Sequence, residues 1–378
     1  MTPDPVYLDT ETFSRVDLKS AGTYRYAENA EVMLVQYAIG DGPVIVWDHH
    51  DGTPAPDIAR YQRETGCLVI AANAMFDRNG LRLGNLRQEI PIEAWRCTMV
   101  QAMSHALPGS LSDQGKVLGL PQDMQKLADG RKLIQRFCKP APGNHLADRY
   151  TRDTHPAEWA RFVEYGVQDV IALREIHKRL PTWNWQAADI ADWHLDQKIN
   201  DRGFAVDREL VEAGARAAID EKEFLGTRFA ELTGGLRPSQ RDKVRDFING
   251  WYALELTGTA KHIMQPIADD ERQPADLREI ARIVLASNKT STAKYATMLE
   301  ALSADGRFRG GLQFSGALRT RRWAGRVFQP QNLPSRALPP GDMIEAYIQC
   351  LKAGIHREFF EDLMLYGAAA LRGVVVAS

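Results

Sequence analysis

Short apolar and β-branched runs fill the first hundred positions, and longer helical periodicities follow them. The first run, Val6 to Phe13, contains the β-formers Tyr7, Thr10, Thr12 and Phe13 and no Gly or Pro, which predicts a strand. Val32–Ile39 and Val44–Trp47 flank Gly40-Asp41-Gly42-Pro43, the signature of a hairpin. Leu68–Ala71 reads as a short buried strand, and the pattern through Leu81 and Leu86 reads as helical. Strands first, then strand and helix in alternation, predict a mixed sheet with helices on its faces. Residues 110–140 read as short helices and loops. Pro156 opens a long helix whose apolar positions Trp159, Phe162, Val163, Gly166, Val170, Leu173 and Ile176 keep helical spacing, and Pro181 stops it.

Beyond Trp183 strand patterns vanish. Helical patterns run over 187–200, 208–232, 241–251 and 275–301. Gly310 to Gln329 returns to a strand-like texture rich in Gly and Arg, and Val374-Val-Val376 resembles the start of a strand. That last run is expected to be an unpaired apolar edge.

Composition narrows the class. Of 378 residues, 44% are hydrophobic and 25% charged, as in an ordinary soluble globular protein of two or three domains. The net charge of −2 carries no global nucleic-acid signal. Cys67, Cys97, Cys138 and Cys350 are far apart and form no C-x-x-C, so free thiols in a reducing compartment are expected. No apolar run spans a bilayer and no secretory leader is visible, which gives a cytoplasmic expectation and no membrane partner.

The chemistry begins at the first strand. Alternation puts Asp9 and Glu11 on one face. Adjacent carboxylates repel, and a divalent cation with a taste for oxygen, Mg²⁺ or Mn²⁺, relieves that repulsion. Asp-x-Glu is common, and a solvated strand end is the plainer reading of it alone. Asp77 follows a later strand, where ligands of such sheets bind. Tyr165 and Asp169 lie four apart on the long helix, with Gly166 between them permitting another backbone to come close.

Leu8-Asp9-Thr10-Glu11, Asn73-Ala-Met-Phe76-Asp77 and Tyr165-Gly-Val-Gln-Asp169, in this order, resemble the tyrosine-bearing branch of the DEDD 3′→5′ exonucleases, over about Val6 to Leu180. The resemblance implies a ribonuclease H-like fold and two divalent cations, Mg²⁺ or Mn²⁺. Asp9 would bridge them, Glu11 and Asp169 would complete one shell, and Asp77 would serve the other. Tyr165 would orient the attacking water. Asn73 and Phe76 would reach the 3′ nucleotide, although Phe76 reads more simply as core.

The second half carries a local charge excess, ten Lys or Arg against Glu300 and Asp305 between residues 281 and 336. That excess suits a phosphate backbone. Lys289-Thr290-Ser291-Thr292 sits within a helical pattern. The Arg319-Thr320-Arg321-Arg322-Trp323 block, with Arg326, and Gln329-Pro-Gln331-Asn332-Leu-Pro334 follow it. Together they look like the thumb and early palm of family A DNA polymerases of bacteriophage type. Leu195 to Asp207 is similar to the segment that joins exonuclease to polymerase in that family. Arg321 departs from it, since the family has Gly there. The family's Asp-x-Ser-x-x-Glu strand and His-Asp-Glu turn are missing, and His356-Arg-Glu358 is no substitute.

The expected organisation is therefore an α/β exonuclease over 1–182, a mainly helical thumb-like region over 183–305, and an incomplete palm over 306–378. The expected activity is exonucleolytic, on single-stranded DNA 3′ ends. Primer–template duplex is a further expected partner, gripped by the named residues from Lys289 to Asn332. A separate chain carrying the rest of a polymerase would complete a split enzyme, in a bacterial or phage-infected cell. The rivals are an RNA-processing exonuclease and a non-catalytic subunit.

Overall fold

The computed structural model describes residues 3–121, 130–143, 147–289, 291–317, 320–333, 335 and 338–377. They form two compact units. The first joins 1–203 to 300–329, and the second joins 204–299 to 330–378.

The first unit is built on β1 (Val6–Phe13), α1 (Leu18–Ala27), β2 (Glu31–Ile39), β3 (Ile45–Asp48), α2 (Ile58–Thr65), β4 (Val69–Ala71), α3 (Ala74–Leu83) and β5 (Trp95–Cys97). Then come α4 (Thr98–Ser104), α5 (Leu111–Val117), α6 (Gly130–Phe137), α7 (Pro156–Arg179) and α8 (Ala187–Arg202). The sheet order is β3-β2-β1-β4-β5, antiparallel from β3 to β1 and parallel from β1 to β5. β1 is thus central, and seven of its eight residues are buried. Its register slips between Glu11 and Thr12, and Asp9 stands opposite Gln36 of β2. The helices take opposite faces of β1. A Cβ on Gly166 of α7 would meet Gln36, Asp9's cross-strand partner, whereas one on Gly80 of α3 would meet Thr10 and Thr12.

Two segments that composition sets apart from this unit belong to it. One is α8. The other is the hairpin of Leu312–Ala317 against Arg322–Gly325. Trp193 of α8 and Phe314 of the hairpin join the core that holds Val6, Leu8 and Trp95. The cause is a buried polar lock. Arg78 of α3 donates to Asp201 of α8 at 2.7 and 2.9 Å, and Arg82 donates to the same carboxylate at 2.9 Å. Burial disfavours the Asp201 charge, but Arg78, Tyr24 and Arg82 hold the carboxyl below its ordinary pKa.

The second unit holds α9 (Arg208–Thr233), α10 (Arg241–Tyr252), α11 (Lys261–Asp269), α12 (Ala275–Ser287), α13 (Ala293–Ala301), α14 (Gly341–Ala353), α15 (His356–Phe359) and α16 (Leu363–Ala370), except that the end of α13 belongs to the first. One core of Phe229, Val244, Ile248, Met264, Leu277 and Ile280 joins α9 to α12. Two expectations are corrected here, and one helix was not foreseen. The helix foreseen over 275–301 is two helices, because α12 closes at Asn288 before a run of Ser and Thr that favours turns. α11 carries Pro266 inside it, which hid it from the pattern. The C-terminal run is not unpaired: Val375 and Val376 pair with Val206 and Ala205, and Val374 is buried.

Candidate active site

A cleft of about 610 Å³ opens at the end of β1 and is lined by Asp9, Glu11, Asn73, Phe76, Asp77, Tyr165 and Asp169 among others. Three segments distant in sequence supply these residues. β1 brings Asp9 and Glu11, α3 brings Asp77 from one face, and α7 brings Tyr165 and Asp169 from the other. Glu11, Asp77, Tyr165 and Asp169 are all buried.

Each side chain has an identifiable constraint. Asp77 Oδ1 accepts from the Thr10 N–H at 3.1 Å and the Thr10 hydroxyl at 2.8 Å. Burial nevertheless pushes the Asp77 carboxyl up to about 7. Cys138 points its thiol at Glu11 Oε2, 3.7 Å away, and burial beside that carboxylate drives the thiol pKa well up. Tyr165 is shielded from water, hydrogen-bonds Asp169 and lies near Glu11 and Asp9. Burial first, then those carboxylates, raise its pKa far above the ordinary phenol value.

Close approaches fix the tyrosine-bearing helix. A Cβ on Gly166 would stand 2.2 Å from Gln36 Nε2, so the glycine admits a side chain here and not a backbone. Gln36 is fully buried, and neither of its amide atoms has a hydrogen-bond partner. A Cβ on Gly130, at the start of α6, would stand 2.0 Å from Tyr165 Cε2.

The four carboxylates suit a hard divalent cation in kind, being oxygen donors in one cleft. In position they are less gathered than the sequence implies. Among the described residues, no three His, Cys, Asp or Glu form a group set to hold a metal ion. Asp77 belongs to the helix layer opposite α7 and turns an oxygen to Thr10, while Glu11 faces the Cys138 thiol. Phe76 is half-buried and stacks at a tilt on Tyr26, 5.7 Å between ring centres, so it lines the cleft instead of filling the core.

The candidate DNA contacts are dispersed. Thr290 and Arg319 lie outside the described residues. Lys289 is engaged by Asp362 at 3.0 Å. Ser291 is half-buried and Thr292 is buried under Gly367, so the Thr292 hydroxyl is not presented to a ligand. Thr320, Arg322, Arg326, Gln331 and Asn332 are exposed. Several cations of the basic stretch have partners inside their own unit. Arg307 donates to the Arg202 and Gly203 carbonyls, and Arg309 to Asp305 and the Asp201 carbonyl. Arg321, at φ +53, occupies the left-handed region where Gly is favoured, and its guanidinium is held by Asn184 at 2.6 Å and Asp189 at 2.8 Å.

Comparison with known proteins now bears on this arrangement. The chain is 34% identical over 368 residues to a protein named DNA polymerase from Bacillus phage SP02. The match covers 95% of this chain and 55% of the relative, so the chain spans about half the relative's length. It is similar to a phage DNA polymerase. Among solved structures it matches "POL domain of Pol1 from M. smegmatis complex with DNA primer-template and dNTP", with a TM-score of 0.55 and 12% identity. That match covers 89% of this chain and 53% of the other, and it concerns fold. No family model matches the chain. No described helix is long and apolar enough to cross a membrane.

Thr10, Gln36, Gly130 and Cys138 belong to the site and escape sequence reasoning. Thr10 alone left a trace, as the polar residue between the two acids of β1. The others reach the site through contacts more than twenty positions away from any residue of the motifs they touch.

Proposed function

We propose that the chain is a metal-dependent 3′→5′ exonuclease acting on single-stranded DNA ends, with a ribonuclease H-like catalytic domain and a helical DNA-gripping region of the kind found in family A DNA polymerases. The observation that carries this reading is the convergence of Asp9, Glu11, Asp77, Asp169 and Tyr165 on one cleft at the end of a central strand.

Asp9, Glu11 and Asp169 would hold one divalent cation, and Asp9 and Asp77 the other. Bound cations would neutralise charge on the scissile phosphate and lower the pKa of a water to within reach of neutral pH. The chain's own residues supply the rest. Thr10 fixes the Asp77 carboxyl through two donors, which sets the direction of its second oxygen. Tyr165 keeps its proton, so it orients a water through its hydroxyl and does not act as base. Asn73 and Phe76 border the cleft where a 3′-terminal nucleotide would lie.

The likeness to a phage DNA polymerase supports DNA over RNA as substrate. The regions after about 183 are read as thumb-like and early-palm material, with Arg322, Arg326, Gln331 and Asn332 as the exposed candidates for duplex contact. The 378 residues contain neither palm motif, so primer extension is not expected of them alone. Digestion of matched DNA and RNA oligonucleotides, labelled at the 5′ end and incubated with Mg²⁺, tests the reading. A ladder shortening from the 3′ end on DNA is expected, and RNA-only degradation would replace it with the RNA-processing reading.

A further inference from the structure

Gln36 interrupts an apolar run in β2, with Val32-Met-Leu-Val35 before it and Tyr-Ala-Ile39 after it. It is fully buried, and neither atom of its amide has a hydrogen-bond partner. Two polar atoms withdrawn from water without a partner disfavour the folded state. A methionine, of nearly the same length, would fill the space without that penalty. The amide therefore calls for a role that an apolar side chain could not fill.

Its place supplies one. Gln36 stands directly across from Asp9, so the two side chains leave the same face of the sheet, with Cβ atoms about 4.5–5.5 Å apart. α7 packs on that face with Gly166 against the amide. A Cβ at 166 would meet Gln36 Nε2 at 2.2 Å, Cδ at 2.6 Å and Cγ at 3.2 Å. Asp169 lies one turn along α7 from Gly166, on the same side of the helix. The amide is thus walled in between the strand that carries Asp9 and the helix turn that carries Asp169. We propose that Gln36 is a positioning residue for the cation site: its amide donates to the carboxylates of Asp9 and Asp169 when these ligate a divalent cation, and so fixes their direction. Losing an outer partner of this kind weakens metal affinity about 10–100-fold. Gln36 touches neither the cation nor DNA. The inference rests on the metal-dependent reading of the cleft and adds a residue that none of the carboxylate motifs contains.

The test reads cation binding without turnover. Mn²⁺ is titrated into the full chain with no DNA present, and the free ion is counted by electron paramagnetic resonance. Gln36→Met keeps the side chain's length and removes both polar atoms. It should melt no lower than wild type in EDTA, yet bind Mn²⁺ about tenfold more weakly. The second variant combines Gln36→Ala with Gly166→Ala. Shortening residue 36 makes room for the Cβ at 166, so the packing recovers while the amide does not. This double variant should bind Mn²⁺ as weakly as Gln36→Met. Wild-type affinity in either variant would make the amide a spacer and overturn the inference. A Gln36→Met chain that melts well below wild type in EDTA would overturn it too, since the amide would then be holding the fold. A wild type that binds no Mn²⁺ would sink the metal-dependent reading and this inference together. A wild type that binds Mn²⁺ and digests no DNA would sink the exonuclease reading alone.

Discussion

The phenol of Tyr165 is shielded from solvent and faces Asp169, Glu11 and Asp9, so its proton stays in place at any physiological pH. Tyr165→Phe removes only an orienting hydroxyl and should lower the hydrolysis rate roughly 10–100-fold, the range for an outer-shell partner. A rate as low as that of Asp9→Ala would give the tyrosine a larger part. Gly166→Ala tests the layer beneath. Ala is the better helix former by about 1 kcal/mol, yet its Cβ would stand 2.2 Å from Gln36 Nε2. The variant should lose about tenfold in rate and gain nothing in melting temperature, because Gln36 must leave its place beside Asp9. A more stable and fully active variant would show that the contact is idle. The sharing of β1 by Asp9 and Glu11, and of α7 by Tyr165 and Asp169, was legible because strand alternation and helix spacing are local. Gln36 was not, since a buried amide inside an apolar run has no meaning until α7 is packed on it.

At the scale of elements, α8 decides what the first unit contains. Pro181 and the change of texture after Trp183 suggest a boundary there, but the lock of Arg78 and Arg82 on Asp201 ties α8 to α3. Ion pairing across 119 and 123 positions leaves no local pattern to read. Asp201→Ala strands the buried Arg78 guanidinium and should lower stability by about 3–5 kcal/mol in urea unfolding. Asp196 on the same helix behaves oppositely. Burial raises its carboxyl pKa to about 7, so the folded state holds a proton that the unfolded chain releases near pH 4. Its contribution is full below about pH 4 and is lost as pH rises through about 7. Asp196→Asn cannot ionise, so its stability relative to wild type should grow from pH 4 to 8, by on the order of 2–4 kcal/mol. Parallel urea midpoints across that range would contradict the assignment. The stretch after α12 carries a related lesson: Asn288 to Thr292 holds no apolar residue, and that gap, with hydroxyl side chains that compete for the backbone, is the sequence mark of the break between α12 and α13.

Across the whole molecule, chain order and compact units do not coincide, since 300–329 returns to the first unit after the second has begun. Composition sees a linear succession of domains and cannot see that return. β1 to β4, α3 and α7 were legible because alternation and 3.6-residue periodicity survive in them, whereas α1, α2, β5 and α4 left no pattern that was read. The basic stretch between 281 and 336 was only partly so, because acids and carbonyls elsewhere in the chain engage Lys289, Arg307, Arg309 and Arg321. Given a primer–template, dNTPs and Mg²⁺, the chain should shorten the primer and not extend it. Extension, with other polymerases excluded, would contradict the account of the second half. The central claim is that Asp9 and its partners form a hydrolytic centre at the 3′ end of DNA. Its most direct test is the digestion of a 5′-labelled single-stranded DNA with Mg²⁺ by wild type and by Asp9→Ala, each checked for folding by circular dichroism. The account predicts a 3′-shortening ladder from the wild type and none from a folded Asp9→Ala; equal digestion by the two would contradict it.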